Sequence, residues 1–137
     1  PDVRYASLCH YGLGTSAVAS CVADRNAVVQ ADGYEVHAIS TLAGRPTAAT
    51  RAAGVNWQQW GDTRSELIVI RQILPRPGFS GDYARAIANP ELPLSVTLGK
   101  YAPEITYCRR AVFDANAATG SRNLIDACRA EFAANRR

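Results

Sequence analysis

Pro1 and Arg76 are the two residues whose types invite chemistry. A chain that begins at Pro1 presents a secondary amine at its start, and a generic α-amine titrates near ~7.7–8.0. Apolar surroundings or a nearby cation disfavour its charged form. An amine brought toward neutrality at pH 7 suits a general base, and a charged one suits a general acid. Arg76 stands in the loop Pro75-Arg76-Pro77-Gly78-Phe79-Ser80. The flanking prolines restrict the loop and pre-order a fork of donors that fits a small carboxylate or a developing enolate. Arg71, inside the preceding apolar run, is placed either to enter the same pocket or to form an ion pair. Asp32 could activate water and Tyr34 could donate to a substrate oxygen, although Asp32 beside Gly33 also reads as a helix terminator. His10 and His37 stand apart, without the spacing of a metal site. His37 lies in a strand-like run and could line a pocket. No phosphate loop, nucleophile elbow or zinc-protease helix is present.

These residues need elements to hold them. Residues 2–9 alternate as a strand. Thr15 and Ser16 offer a cap for a helix to about Ala31, with Val18, Cys21, Val22 and Val28 at helical spacing. Residues 34–40 alternate as a second strand, which makes residues 1–40 a βαβ unit with a parallel pair. Residues 41–65 read as a connecting loop and hairpin, with Val55 to Trp60 turning at Gly61-Asp62-Thr63. A second βαβ unit covers 66–113. It has a buried strand at Leu67 to Leu74, a short helix after Ser80 and Asp82 broken by Pro90 and Pro93, and a strand from Ile105 to Phe113. The remainder, 114–137, is a C-terminal extension whose helix is capped by Ser121 and runs to about Ala134. The expected fold is therefore one α+β domain. It has a four-stranded mixed sheet, helices on one face and a C-terminal helix. The uncovered apolar face predicts an oligomer.

With 137 residues the chain fits one domain of modest core. A net charge of +3, spread over fourteen arginines and one lysine, is too mild and scattered for a nucleic-acid surface. No apolar run approaches the roughly 20 residues of a membrane-spanning helix. The absence of methionine and of a charged-then-apolar leader fits a chain opened at Pro1 by removal of an initiator, in a cytoplasmic protein. Cys9, Cys21, Cys108 and Cys128 leave two alternatives open. They are buried free thiols, or they form two disulfides in a secreted protein, with three possible connectivities.

Four stretches resemble the tautomerase superfamily, nearest to its malonate semialdehyde decarboxylase and cis-3-chloroacrylic acid dehalogenase groups. They are Pro1 opening a strand, Asp32-Gly33-Tyr34-Glu35, the run from Arg64-Ser65 to Arg76-Pro77, and Ala102-Pro103-Glu104-Ile105. The resemblance spans residues 1 to about 113. It implies two βαβ units, a homotrimer, no cofactor and a small carboxylate substrate. It implies Pro1, Arg76 and Asp32 as catalytic residues, with Tyr34, Arg71, His37 and Tyr107 binding substrate. Gly78 and Phe79 stand where a second loop arginine would be, and Val28 and Val29 where a helix histidine would be. The expected activity is proton transfer or water activation on a short unsaturated or oxo acid, with no nucleic-acid or membrane partner. The alternative is a secreted, disulfide-bridged binding or effector domain without catalysis.

Overall fold

The computed structural model describes residues 2–14 and 17–134. Its first element is the strand expected at the start of the chain, β1 (Val3–Gly12). The chain then reverses. Gly14 adopts φ +92°, a left-handed backbone open to glycine, and the Gly12 amide donates to the Ala17 carbonyl at 2.9 Å. Residues 18–23 return as β2 (Val18–Ala23), antiparallel to β1, with Cys9 opposite Cys21 and Leu8 opposite Val22.

This corrects the expected helix over 15–31 and with it the first βαβ unit. The apolar spacing of Val18, Cys21 and Val22 suits a helix, but the β-branched valines also pack well on a pleated surface. A disulfide between Cys9 and Cys21 holds the strand pairing. Beyond β2 there is only a short 3₁₀ turn, Asp24–Asn26.

Two sheets result. The first has the order β2-β1-β5, where β5 (Glu66–Pro75) runs antiparallel to β1 over nearly its whole length. The second pairs β3 (Val36–Ser40) with β4 (Val55–Gln59) in parallel. The single mixed sheet is therefore replaced by two, and the hairpin expected after Trp60 does not form. Between β3 and β4 lies a crossover whose 3₁₀ turn, Arg51–Ala53, is capped by the Thr50 side chain.

The helices follow their local signals. Asp82 caps α1 (Tyr83–Ala88) by accepting from the Ala84 amide, and α2 (Leu94–Thr97) starts directly after Pro93. The C-terminal helix is observed as α4 (Ser121–Ala134). The strand expected over 105–113 is not formed. Residues 103–109 carry no regular structure and α3 (Arg110–Asn116) follows them. Cys108 is bonded to Cys128 on α4, and the Arg109 guanidinium pairs with Glu131 of the same helix at 2.8 Å. The run is thus fixed to a helix rather than to a sheet edge.

The main core joins the second sheet to α3 and α4 through Ala38, Ala49, Val55, Phe113, Ala117, Leu124 and Cys128. Among the described buried hydrophobics only Val55, Leu98, Phe113 and Leu124 are larger than alanine or cysteine. Such a thin core gives the two disulfides real weight. Loops of this length predict about 3 kcal/mol for each bridge.

Candidate functional site

The residues singled out in the sequence fall in several places. Pro1 lies outside the described residues. Arg76 lies where β5 ends and β1 begins. Its amide donates to the Asp2 carbonyl at 2.7 Å and its guanidinium meets the Asp2 carboxylate at 2.8 Å. The antiparallel β1–β5 pairing brings these chain segments together. Both partners of the ion pair are well exposed, so its electrostatic contribution is small. Arg71, opposite Ser7 in the β1–β5 register, extends over the Tyr11 ring with its guanidinium carbon 5.2 Å from the centroid.

His37 is tied into β3 and β4. Gln58 donates to its Nδ1 at 3.2 Å, which leaves Nε2 to donate to Glu35 at 3.0 Å. Tyr107 is 80% exposed, with its ring 5.8 Å from that of Phe132. It borders a small pocket of about 250 Å³ with Cys108, Arg109 and Glu131. None of these side chains makes a shared constellation with Arg76.

Asp32 and Tyr34 lead elsewhere. The Asp32 carboxylate accepts the Ser121 amide at 2.8 Å and the Ser121 hydroxyl at 2.7 Å, at the start of α4. The Ser121 hydroxyl hydrogen bond, helped by backbone amides and opposed by some burial, holds the Asp32 pKa below its ordinary value. Asp32 is thus a cap for a helix 89 positions away in the chain. The same carboxylate receives the Tyr34 amide at 3.3 Å. The 32–34 turn is thereby clamped against the helix, with Tyr34 beside it.

Tyr34 borders the larger cleft, about 560 Å³, together with Leu94, Lys100, Glu104, Arg122 and Arg129. Arg122 and Arg129 sit seven residues apart, two turns on one face of α4, or about 10.5 Å along its axis. Both reach Glu104. Arg122 Nη1 lies 2.9 Å from one carboxylate oxygen and Arg129 Nη1 lies 2.7 Å from the other. Burial raises the Glu104 pKa, but the two guanidiniums together outweigh it and the net shift is downward. The carboxylate stays ionised and held in the cleft.

Sequence reasoning reached Tyr34 but passed over Lys100, Arg122 and Arg129. The signal was available, because a helix expected from Ser121 to Ala134 puts residues seven apart on one face. Only its apolar stripe was read. Among the described residues, no group of three or more His, Cys, Asp or Glu side chains is placed to hold a metal ion. No described helix is long and apolar enough to cross a membrane.

No family model, no curated protein and no solved structure matches this chain.

Proposed function

We propose that this chain is a disulfide-braced binding domain that works in an oxidising compartment and receives an anionic group in the cleft between Tyr34 and α4. The observation that carries the reading is the convergence of Arg122 and Arg129 on Glu104 in a cleft that Lys100 also lines. Three cations against one carboxylate leave a surplus of two positive charges there, 3 − 1 = 2. The volume falls in the usual range of small-ligand sites, roughly 300–1,000 Å³. Arginine forks bind carboxylates and phosphates in fixed geometry. Two disulfides support an oxidising location, since reducing compartments keep thiols free.

The test is an amide-resolved NMR titration with small carboxylates and inorganic phosphate. Shifts are expected at Tyr34, Lys100 and Arg122. The double variant Arg122→Gln, Arg129→Gln should abolish them while keeping the circular dichroism spectrum. Full binding by that variant would sink the proposal.

A second reading keeps the amine chemistry, on the observation that Arg76 bonds to Asp2, one residue from Pro1. Here Pro1 transfers a proton on a small carboxylate substrate and Arg76 holds that carboxylate, as in a cofactor-free, trimeric enzyme of the tautomerase superfamily. Arg76→Ala should then lower turnover of a 2-oxo acid enol by about 10²–10³. Unchanged turnover in the variant, or none in the wild type, removes this reading.

A further inference from the structure

Glu104 already shows what the two arginines of α4 accept. Arg122 Nη1 reaches both of its oxygens, at 2.9 and 3.2 Å, and Arg129 Nη1 shares the second at 2.7 Å, yet each guanidinium has five N–H donors. The segment that carries Glu104 is not locked in place by regular structure, because residues 103–109 form neither helix nor strand. Its ties to α4 lie further on, at the Cys108 disulfide four positions away and at Arg109, which pairs with Glu131. The Glu104 side chain is about one-third exposed, so a competing anion can approach the arginines from solvent. Beside them, Leu94, Ala102, Pro103 and the Tyr34 ring supply apolar surface.

From this geometry we infer that Glu104 is an internal stand-in for the ligand, and that the ligand is a small organic acid with an apolar or aromatic body whose carboxylate displaces Glu104 from Arg122 and Arg129. This inference rests on the cleft reading above and adds the ligand class and the self-occupancy. The charge pattern favours it. The exchange of one carboxylate for another preserves the ion pairing, and the body of the ligand gains contact with Tyr34 and Leu94. Lys100 remains to meet a further acceptor on the ligand. Self-occupancy scales apparent affinity down to the fraction of molecules in which the arginines are free of Glu104. Removal of the internal carboxylate should therefore tighten binding.

The experiment compares phenylacetate, its neutral isostere phenylacetamide and inorganic phosphate on the intact disulfide-bonded chain, in the wild type and in Glu104→Gln. Phenylacetate should bind, phenylacetamide should not, and Glu104→Gln should tighten phenylacetate about tenfold. Glu104→Ala serves as a second variant with the same expected direction, should the first fail to fold. Unchanged or weaker phenylacetate binding in a folded Glu104 variant overturns the stand-in role and leaves the cleft reading intact. Binding of phosphate without phenylacetate overturns the ligand class alone. An absence of binding by every anion overturns the cleft reading together with this inference.

Discussion

The two sheets of this molecule are held by different physics. The parallel pair β3–β4 rests on α3 and α4 through a contiguous apolar cluster centred on Val55, Phe113 and Leu124. Buried polar groups occur in both, Asn56 and Gln58 on β4 among them, but the antiparallel sheet β2-β1-β5 is the one that buries a histidine against a carboxylate. Ser7 and His10 are buried, and His10 Nδ1 meets the fully buried carboxylate of Glu66. Glu66 also accepts the Gly61 amide, and a β-carbon at Gly61 would run into that carboxylate and into Ala19. The same strand β5 leaves Leu67, Ile73 and Leu74 exposed. The parallel half thus has a contiguous apolar cluster, while the antiparallel half relies on the buried His10–Glu66 pair and a covalently stapled hairpin, with His10 Nε2 left without a hydrogen-bond partner among the described residues. His10 and Trp60, with ring centroids 6.4 Å apart, lie where the two halves meet.

The largest effects should come from breaking each half by its own principle. Phe113→Ala should cost about 3–5 kcal/mol through cavity formation. Glu66→Ala should cost a similar ~3–5 kcal/mol if the pair behaves as a buried ion pair left with one member. Urea unfolding followed by circular dichroism and by the fluorescence of Trp57 and Trp60 measures both. The contrast is sharpened by the double change His10→Leu, Glu66→Met, which removes both members of the pair and should recover part of the loss, the Gly61 amide being left without its acceptor. If the double variant is as unstable as the single one, the polar account of this half is wrong.

The disulfides come next, at about 3 kcal/mol each. Their removal should not spread evenly. Cys9→Ser with Cys21→Ser should lower hydrogen-exchange protection mainly in β1, β2 and β5, because little apolar burial remains to hold the hairpin. Cys108→Ser with Cys128→Ser should loosen residues 103–109 and α4. An even loss of protection across both sheets would mean that the halves unfold as one unit.

The same contrast separates what was legible in the sequence from what was not. The α+β class, β1, β3, β5 and the helices α1, α2 and α4 follow from local signals. Asp82 caps, Pro90 and Pro93 interrupt, and Ser121 opens the last helix. What failed was pairing across distance. Apolar residues at 18, 21, 22 and 28 fit a helix, and nothing in that spacing reports that β1 already needed a partner on each edge. The available clue was that Cys9 and Cys21 are equidistant from Thr15, as two bridged residues of a hairpin would be. Ile105 to Phe113 reads as a strand, while the bond from Cys108 to Cys128 ties its first half to α4. The stretch Asp32-Gly33-Tyr34-Glu35 suggests water activation by Asp32, with helix termination beside Gly33 as the alternative. The partner of Asp32, Ser121, is 89 residues away.

The smallest expected effect concerns acid, and it falls on the helical half. Three carboxylates there titrate below their ordinary values. Asp32 does so chiefly through the Ser121 hydroxyl, Asp114 through the Ala48 amide, and Glu104 because Arg129 and Arg122 together outweigh its burial. A carboxylate whose folded pKa is depressed contributes stability that is fully present above its unfolded value and is lost as pH falls through the folded one. The loss should therefore begin below about pH 4, the ordinary carboxylate range, and should be small because all three groups are near solvent. Asp32→Asn should remove its share of that acid sensitivity and fray the first turn of α4, with less effect than the loss of either disulfide. Hydrogen exchange of the α4 amides between about pH 5 and pH 3 in the wild type and the variant measures this. Matching acid profiles in the two proteins would show that the Asp32–Ser121 clamp is not what makes this half sensitive to acid, and would shift that role to Asp114 and Glu104.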